Sequence, residues 1–369
     1  MPPYILRSIA EHGDEEDRVR ALAALEISLE PRRRRQEPVL VAGAILVPRR
    51  VKRRTIYDAN GGRDLPGRTL RIEGSRRVRD DAANEAYEFT GVTYDYFRRM
   101  HERRSLDDRG MRLESTVHFG DRFNNAHWDG RQMIFGDGDG KYFNRFTACV
   151  DVVAHELTHG VIQYAAGIGA SGECGALAEH FADVFGILTK QQRLRQTAAK
   201  SDWLIGAELL TDRVRGDGIR SMKQPGAAYD DPVFGRDPQP AHMRDFVRTR
   251  EDDRGVHINS GIPNHAFWRV ATLLGGRAWE TAGRIWYRAL TRAMGPRSGF
   301  QECADATWTA AVELFGRRSE PERAVATGWR HVGIEIAESA IDAAPKPRRS
   351  RRRETFEPPG AGGSAFVAS

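Results

Sequence analysis

Cysteine is scarce in this sequence: three in 369 residues (Cys149, Cys174 and Cys303), with no CxxC spacing between them. This argues against a disulfide framework and against a cysteine zinc knuckle, and it fits a reducing compartment of synthesis. Long apolar runs are missing too; the longest, VLVAGAILV from Val39 to Val47, is too short to span a bilayer. The opening MPPYILRSIAEHGDEED has prolines and early acids where a secretory leader needs a basic start and an apolar stretch. The expectation is a chain made in the cytoplasm without a membrane span, so that any secretion follows a route other than Sec.

The body of the chain also lacks a basic excess. Lys and Arg outnumber Asp and Glu by 57 to 51, but residues 31–54 carry +8 and residues 345–369 carry +4 of a total of +6, which leaves −6 on the rest. A nucleic-acid footprint is not expected on a body of that charge. The Arg-rich end resembles a solvated tail, with tethering to an anionic surface as its alternative use.

What is present is a change of period along the chain. Apolar residues recur at helical spacing from Ile5 to Leu29, with Gly13 as a break between two short helices. Val39 to Val47 reads as a strand between two basic clusters. Residues 55–150 hold Gly, Asp and Asn turns between short alternating runs such as RLESTVHFG and RQMIFGDGDG, with helix around 82–102. From 151 onward the pattern is helical, with candidates at 151–165, 175–190, 260–275, 277–293, 300–315 and 320–337 and a Pro/Asp/Gly-rich loop at 213–256. Two lobes follow, one rich in β-strands and one α-helical, an α+β chain ending in a Pro-, Ser- and Arg-rich tail.

The segment DVVAHELTHGVIQY lies at the join. On a helix His155 and His159 share one face, so both imidazoles can address one cation while Glu156 points to a neighbouring side, free to hold a water. HExxH alone is equally compatible with solvent-facing residues, and a third ligand decides the matter. In the next helix, GALAEHFADVFG offers Glu179, twenty residues after His159, and Asp183 one turn on, which can fix the tautomer of His155. In DDRGVHINSG, His257 backed by Asp252 is a candidate donor to a developing oxyanion.

These stretches, with NNAHWDG, GDGDG and RSM, resemble the thermolysin family of zinc metallopeptidases from about Ile56 to Ile334, and the first residues are similar to the short propeptide of its protealysin-like branch. The resemblance implies a two-lobe fold divided into a propeptide (1–54), a β-rich lobe including the HELTH helix (55–165), an α-helical lobe (166–340) and a disordered basic tail (341–369). It implies one zinc ion on His155, His159 and Glu179, Glu156 as base, and His257 as oxyanion donor, with Asp183 and Asp252 behind the two histidines. Asn125, Ala126 and Trp128 would hold the substrate backbone as an edge strand, and Arg220 a substrate carbonyl. Phe143, Phe146, Val152 and Ile219 would line an apolar pocket for the residue after the scissile bond, predicting cleavage before Leu, Ile, Val or Phe. Expected partners are protein or peptide substrates, the chain's own propeptide and a small proteinaceous inhibitor, with the enzyme itself monomeric.

Three departures qualify this. Ala170 stands where the family has a tyrosine nine residues before the glutamate ligand, and Ala178 where it has an asparagine. These motivate an alternative, a catalytically impaired relative acting as a binding protein. Asp151 and Asp202 match ligands of a paired calcium site whose other positions read Lys190, Leu204 and Ala207, so that double site is expected to be absent.

Overall fold

The computed structural model describes residues 1–34 and 52–343. Two helices, α1 (Pro3–His12) and α2 (Glu15–Arg34), open the chain. In α1 Ile5, Leu6, Ile9 and Ala10 make one buried face, and Pro3 occupies the first turn, where no intrahelical N–H is needed. Gly13 ends it: its N–H donates to the Ile9 carbonyl at 2.8 Å, and a Cβ there would lie 2.6 Å from that oxygen. Asp14 and Asp17 then start α2 by accepting each other's backbone N–H at 2.9 and 3.1 Å. The break at Gly13 is where the periodicity puts it, but α2 continues through Arg32–Arg34.

A five-stranded sheet follows, built from β1 (Arg54–Asp58), β2 (Arg68–Ile72), β3 (Leu113–Val117), β4 (Ala126–Trp128) and β5 (Met133–Phe135) in the order β2-β1-β3-β5-β4. The β1–β3 and β3–β5 pairs are parallel, the outer two antiparallel, and β4 is an edge. Helix α3 (Asp81–His101) covers the sheet, capped by Asp80, which accepts from Ala83 N at 2.9 Å. Strands of three to five residues make this lobe less β-rich than its turn content suggests. The strand read at Val39–Val47 lies outside the described residues. Arg54, the last residue of the propeptide read from the sequence, is the first residue of β1 and donates to Glu73 from Nε at 2.7 Å and from Nη2 at 2.6 Å.

Helices α4 (Val150–Ala165) and α5 (Gly172–Leu194) lie antiparallel, as the facing pairs Asp151–Lys190, His155–Asp183 and His159–Glu179 record in turn. Gly186 permits their approach; a Cβ there would come within 2.8 Å of the Asp151 carbonyl oxygen. Two short strands, β6 (Leu204–Ile205) and β7 (Arg220–Ser221), pair beside them. The helical half is completed by α6 (Asp252–Asn259), α7 (Gly261–Leu274), α8 (Ala282–Arg292), α9 (Phe300–Phe315), α10 (Glu320–His331) and α11 (Glu338–Ala343) around Phe267, Trp286 and Trp329. The helix expected over 277–293 starts at Ala282, and the one over 320–337 stops at His331 because the chain turns at Gly333 (φ +85°). The tail expected from 341 begins inside α11, and residues 344–369 lie outside the described residues. Among the described residues no helix is long and apolar enough to cross a membrane.

Candidate active site

The one-turn spacing on α4 and the antiparallel fit of α5 converge on a single point. His155 Nε2 and His159 Nε2 are 3.2 Å apart, His155 Nε2 lies 3.3 Å from Glu179 Oε2, and His159 Nε2 lies 3.5 Å from Glu179 Oε1. A tetrahedral zinc ion with bonds of about 2.0–2.1 Å holds its ligands about 3.3–3.4 Å apart, so these edges fit one. Glu179 Oε2 is buried without a hydrogen bond of its own, the state expected of an oxygen kept for a cation. His155 Nδ1 donates to Asp183 Oδ1 at 2.8 Å, which turns the lone pair of Nε2 toward that point. Burial works against a charged His155, but Asp183 and Glu179 outweigh it and raise its pKa to about 9. The site binds a proton tightly for the reason it would bind a metal ion: it concentrates negative charge where water is scarce.

Asp183 gathers more partners. Arg220 donates to it from Nε at 2.8 Å and Nη2 at 2.6 Å, and Asn264 Nδ2 donates at 2.9 Å. Behind them Trp286 Nε1 donates to His180 Nε2 at 2.8 Å, and His180 Nδ1 reaches Asn264 Oδ1 at 2.8 Å. Burial lowers His180 to about 4 and keeps it neutral as this link requires. A directional chain thus runs from the helical core to His155.

Glu156 sits beside the triad with Oε2 accepting from the Trp128 backbone N–H at 3.1 Å. Trp128 serves here through its amide; its ring is buried and its Nε1 donates to Gln163 Oε1 at 2.7 Å, so the ring is not placed to grip a substrate. His257 approaches from the other lobe, its Nε2 3.4 Å from Glu179 Oε2. Asp252 accepts from His257 Nδ1 at 2.6 Å and from its backbone N–H at 2.8 Å. Asp252, Asp253, Arg254 and Gly255 all have positive φ, between 50° and 78°, and this left-handed turn folds the carboxylate back onto the ring. With Nδ1–H on a carboxylate, donation from Nε2 requires the doubly protonated ring.

An apolar cavity opens beside Arg220 and Glu156, lined by Phe146, Val152 and Ile219 as expected and also by Ile205 and Leu209. Phe143 does not reach it: fully buried, it stands behind Phe146, ring centroids 6.0 Å apart, and stacks on Phe234. Ile205 and Leu209 escaped the sequence reading because a two-residue strand and a single 3₁₀ turn are too short to show a period that marks a face.

The first residues of the chain enter this cleft. Met1 and Pro2 share the apolar cavity, and the Met1 ammonium donates to Asn125 Oδ1 at 2.6 Å. Asn125 Nδ2 donates to Ser28 Oγ of α2 at 2.7 Å, so both ends of its amide are taken by residues 1–34. Ala126 opens the edge strand β4, across which α2 packs. Asp17, almost fully buried, accepts from Lys141 Nζ at 2.6 Å and Tyr142 Oη at 2.9 Å.

At the far end of α4 the Lys190 ammonium lies 3.5 Å from Asp151 Oδ2, 3.2 Å from Asp202 Oδ2 and 3.2 Å from the Leu204 carbonyl, fully buried. Burial opposes this charge, and the carboxylates of Asp151, Asp202 and Glu208 outweigh it, holding Lys190 protonated above its usual range. Cys149, Asp151 and Glu208 are also close enough to hold a metal ion, but burial pushes the Cys149 thiol well up and makes it a poor thiolate.

Comparison with known proteins agrees with this geometry. Residues 51–163 match the model of the thermolysin metallopeptidase catalytic domain, and residues 166–334 that of its alpha-helical domain. An extracellular metalloprotease of Pectobacterium carotovorum subsp. carotovorum is 46% identical over 348 residues, 92% of this chain and 97% of that protein. The chain belongs to the thermolysin family of metallopeptidases. A thermolysin of Alicyclobacillus acidocaldarius is 36% identical over 288 residues, 75% of this chain and 50% of its own length. The solved precursor of protealysin, a metalloproteinase from Serratia proteamaculans, superposes with a TM-score of 0.83 at 46% identity, covering 90% of this chain and 98% of that one. The chain is thus a protealysin-like metalloendopeptidase of the thermolysin family.

Proposed function

We propose that the chain is the zymogen of a zinc endopeptidase that cleaves peptide bonds before bulky apolar residues, with His155, His159 and Glu179 holding the ion. Bound there, zinc supplies Lewis acidity at the scissile carbonyl. Glu156, oriented by the Trp128 amide, takes the proton of the attacking water and passes it to the leaving nitrogen. His257, held by Asp252, donates to the oxyanion. Arg220, fixed by Asp183, presents its remaining N–H groups to a substrate carbonyl. Phe146, Val152, Ile205, Leu209 and Ile219 receive the side chain after the cut. Asn125 and Ala126 pair with the substrate backbone once residues 1–34 have left.

The observation that carries this reading is the set of ligand-to-ligand distances at the triad with Glu156 oriented beside it. The complete set of ligands, base and donor weighs against an impaired binding protein. To test it, wild type and Glu156→Ala are expressed with zinc, followed by mass spectrometry for N-terminal processing and assayed on a peptide library. Glu156→Ala is expected to keep stoichiometric zinc and to lose about 10²–10⁴-fold in hydrolysis, the range of a positioned base. Absence of hydrolysis by the matured wild type would favour the binding protein.

A further inference from the structure

A cavity apart from the triad lies between α3 and the β1–β2 pair. It opens about 700 Å³ of space and shares no lining residue with the cavity beside Glu156. Asn84, Tyr87, Gly91 and Asp95 recur on one face of α3 and make one wall, and Lys52, Arg54, Arg71 and Arg77 come from the strand side. The charges there do not cancel. Lys52 Nζ pairs with Asp95 Oδ2 at 2.8 Å, Arg54 Nη2 pairs with Glu73 Oε1 at 2.6 Å, and Glu88 Oε1 is held by Arg193 Nη1 at 2.7 Å. Each acid is thereby matched, and among the described residues Arg71 and Arg77 have no carboxylate partner.

Arg71 is the less ordinary of the two. It is only 9% exposed, and its Nε–H is buried without an acceptor among the described residues. Its other bonds go to neutral groups, from Nη1 to Asn84 Oδ1 at 2.9 Å and from Nη2 to the Ser75 carbonyl at 3.3 Å. Burial foremost, with the nearby Arg54 and Arg77 guanidiniums adding to it, holds its pKa below the usual arginine range. A cation buried in this way is costly until a counter-charge reaches it. It is also fixed in place: the Arg54 and Arg71 guanidiniums both stack on the Tyr87 ring, each 3.6 Å from its centroid. A Cβ at Gly91 would collide with the Arg54 guanidinium, so this wall of α3 is shaped to the arginine.

We propose that this cavity binds a phosphate group between Arg71 and Arg77, and that the bound anion ties the β1–β2 pair to α3. The two guanidiniums offer two positive charges to a dianion, and their planar N–H pairs match phosphate oxygens in a way that an ammonium does not. Lys52 and Arg54 add to the field while keeping their own carboxylates. The space exceeds that of a free ion, so inorganic phosphate and a small phosphate monoester share the chemistry that the site recognises.

The test uses the full chain carrying Glu156→Ala, loaded with zinc, so that self-cleavage does not change the sample. Calorimetric titrations with inorganic phosphate, glycerol phosphate, acetate and chloride are run at constant ionic strength. They are repeated on chains that also carry Arg71→Gln or Arg77→Glu; Arg77 is exposed, so its variant stays informative even where Arg71→Gln does not fold. One phosphate per chain is expected, with a raised unfolding midpoint and binding about tenfold or more weaker in Arg77→Glu, the loss of one charge-assisted partner. Tighter binding of glycerol phosphate assigns the site to a monoester, and tighter binding of inorganic phosphate assigns it to the free ion. Phosphate binding no stronger than that of acetate or chloride overturns the proposal. So does phosphate binding that survives Arg77→Glu undiminished, which would put the anion at the zinc ion or elsewhere.

Discussion

Asp183 is the side chain on which most of the site converges, because one carboxylate there orients His155, clamps Arg220 and closes the chain from Trp286 through His180 and Asn264. Replacing it with alanine would leave the Arg220 guanidinium buried without its counter-ion, a change that costs about 3–5 kcal/mol. Metal affinity should fall about 10–100-fold as His155 loses its orienting partner; zinc titration and denaturant unfolding of Asp183→Ala check both. Backbone strain is concentrated at the turn ahead of His257. Arg254 is exposed with φ +69°, and an L-residue pays about 1–2 kcal/mol in that region while glycine does not. Arg254→Gly is therefore expected to raise stability by about 1 kcal/mol, read as a higher unfolding midpoint with zinc content unchanged. At this scale the grouping of His155, His159 and Glu179 was legible because metal chemistry demands fixed residue types at fixed helical spacing, whereas Asp183, Asp252 and His257 were candidates through their neighbours in the sequence. Ile205 and Leu209 were not legible, since apolar residues in elements of two or three residues show no period that tells what they face. Asn264 and His180 were equally silent, being ordinary core positions until Asp183 is placed beside them.

Elements carry the next layer. The α4–α5 ladder ends at Lys190, whose ammonium lies among Asp151, Asp202 and the Leu204 carbonyl. We take it as the resident cation there, in place of a pair of calcium ions. Lys190→Met would strand buried carboxylates and should cost about 3–5 kcal/mol, and added calcium should not shift the unfolding midpoint of the wild type through this site. A second clamp ties β3 to α3. His118 lies 2.9 Å from Asp137 on one ring nitrogen and 2.9 Å from Asp80 on the other, and Asp137 foremost, against the cost of burial, raises it to about 9. Its pKa in the folded chain is above the usual value near 6.5. The stability it adds is thus fully present below about pH 6.5 and lost as pH rises through about 9. Thermal unfolding from pH 6 to 10 should show the advantage of wild type over His118→Gln shrinking across that interval. Helix positions in the second half were readable from the 3.6-residue period, and helix ends were not, because Gly333 and Thr281 act through backbone geometry that periodicity does not encode.

For the whole molecule, the decisive relation is between the first thirty-four residues and the cleft. Their helical period was plain in the sequence, but their destination was not: a segment's docking site depends on surfaces contributed by residues a hundred positions away. Asp17 is the buried fastening, tied to Lys141 and Tyr142. Its removal leaves two donors with one acceptor fewer, worth about 1–3 kcal/mol, or roughly 5–150-fold in the docking equilibrium. Asp17→Ala is expected to shorten the lag before peptidase activity in freshly folded precursor while the matured form keeps wild-type kinetics; an unchanged lag would place the fastening elsewhere.

The covalently attached cation at Lys190 also has a consequence for handling. A chelator strips ions but cannot strip a side chain, so on the proposal that Lys190 takes the place of calcium, chelation is expected to silence turnover at the triad without loosening this end of α4. Such a protein is expected to stay silent in chelating buffer and to regain activity when zinc alone is returned.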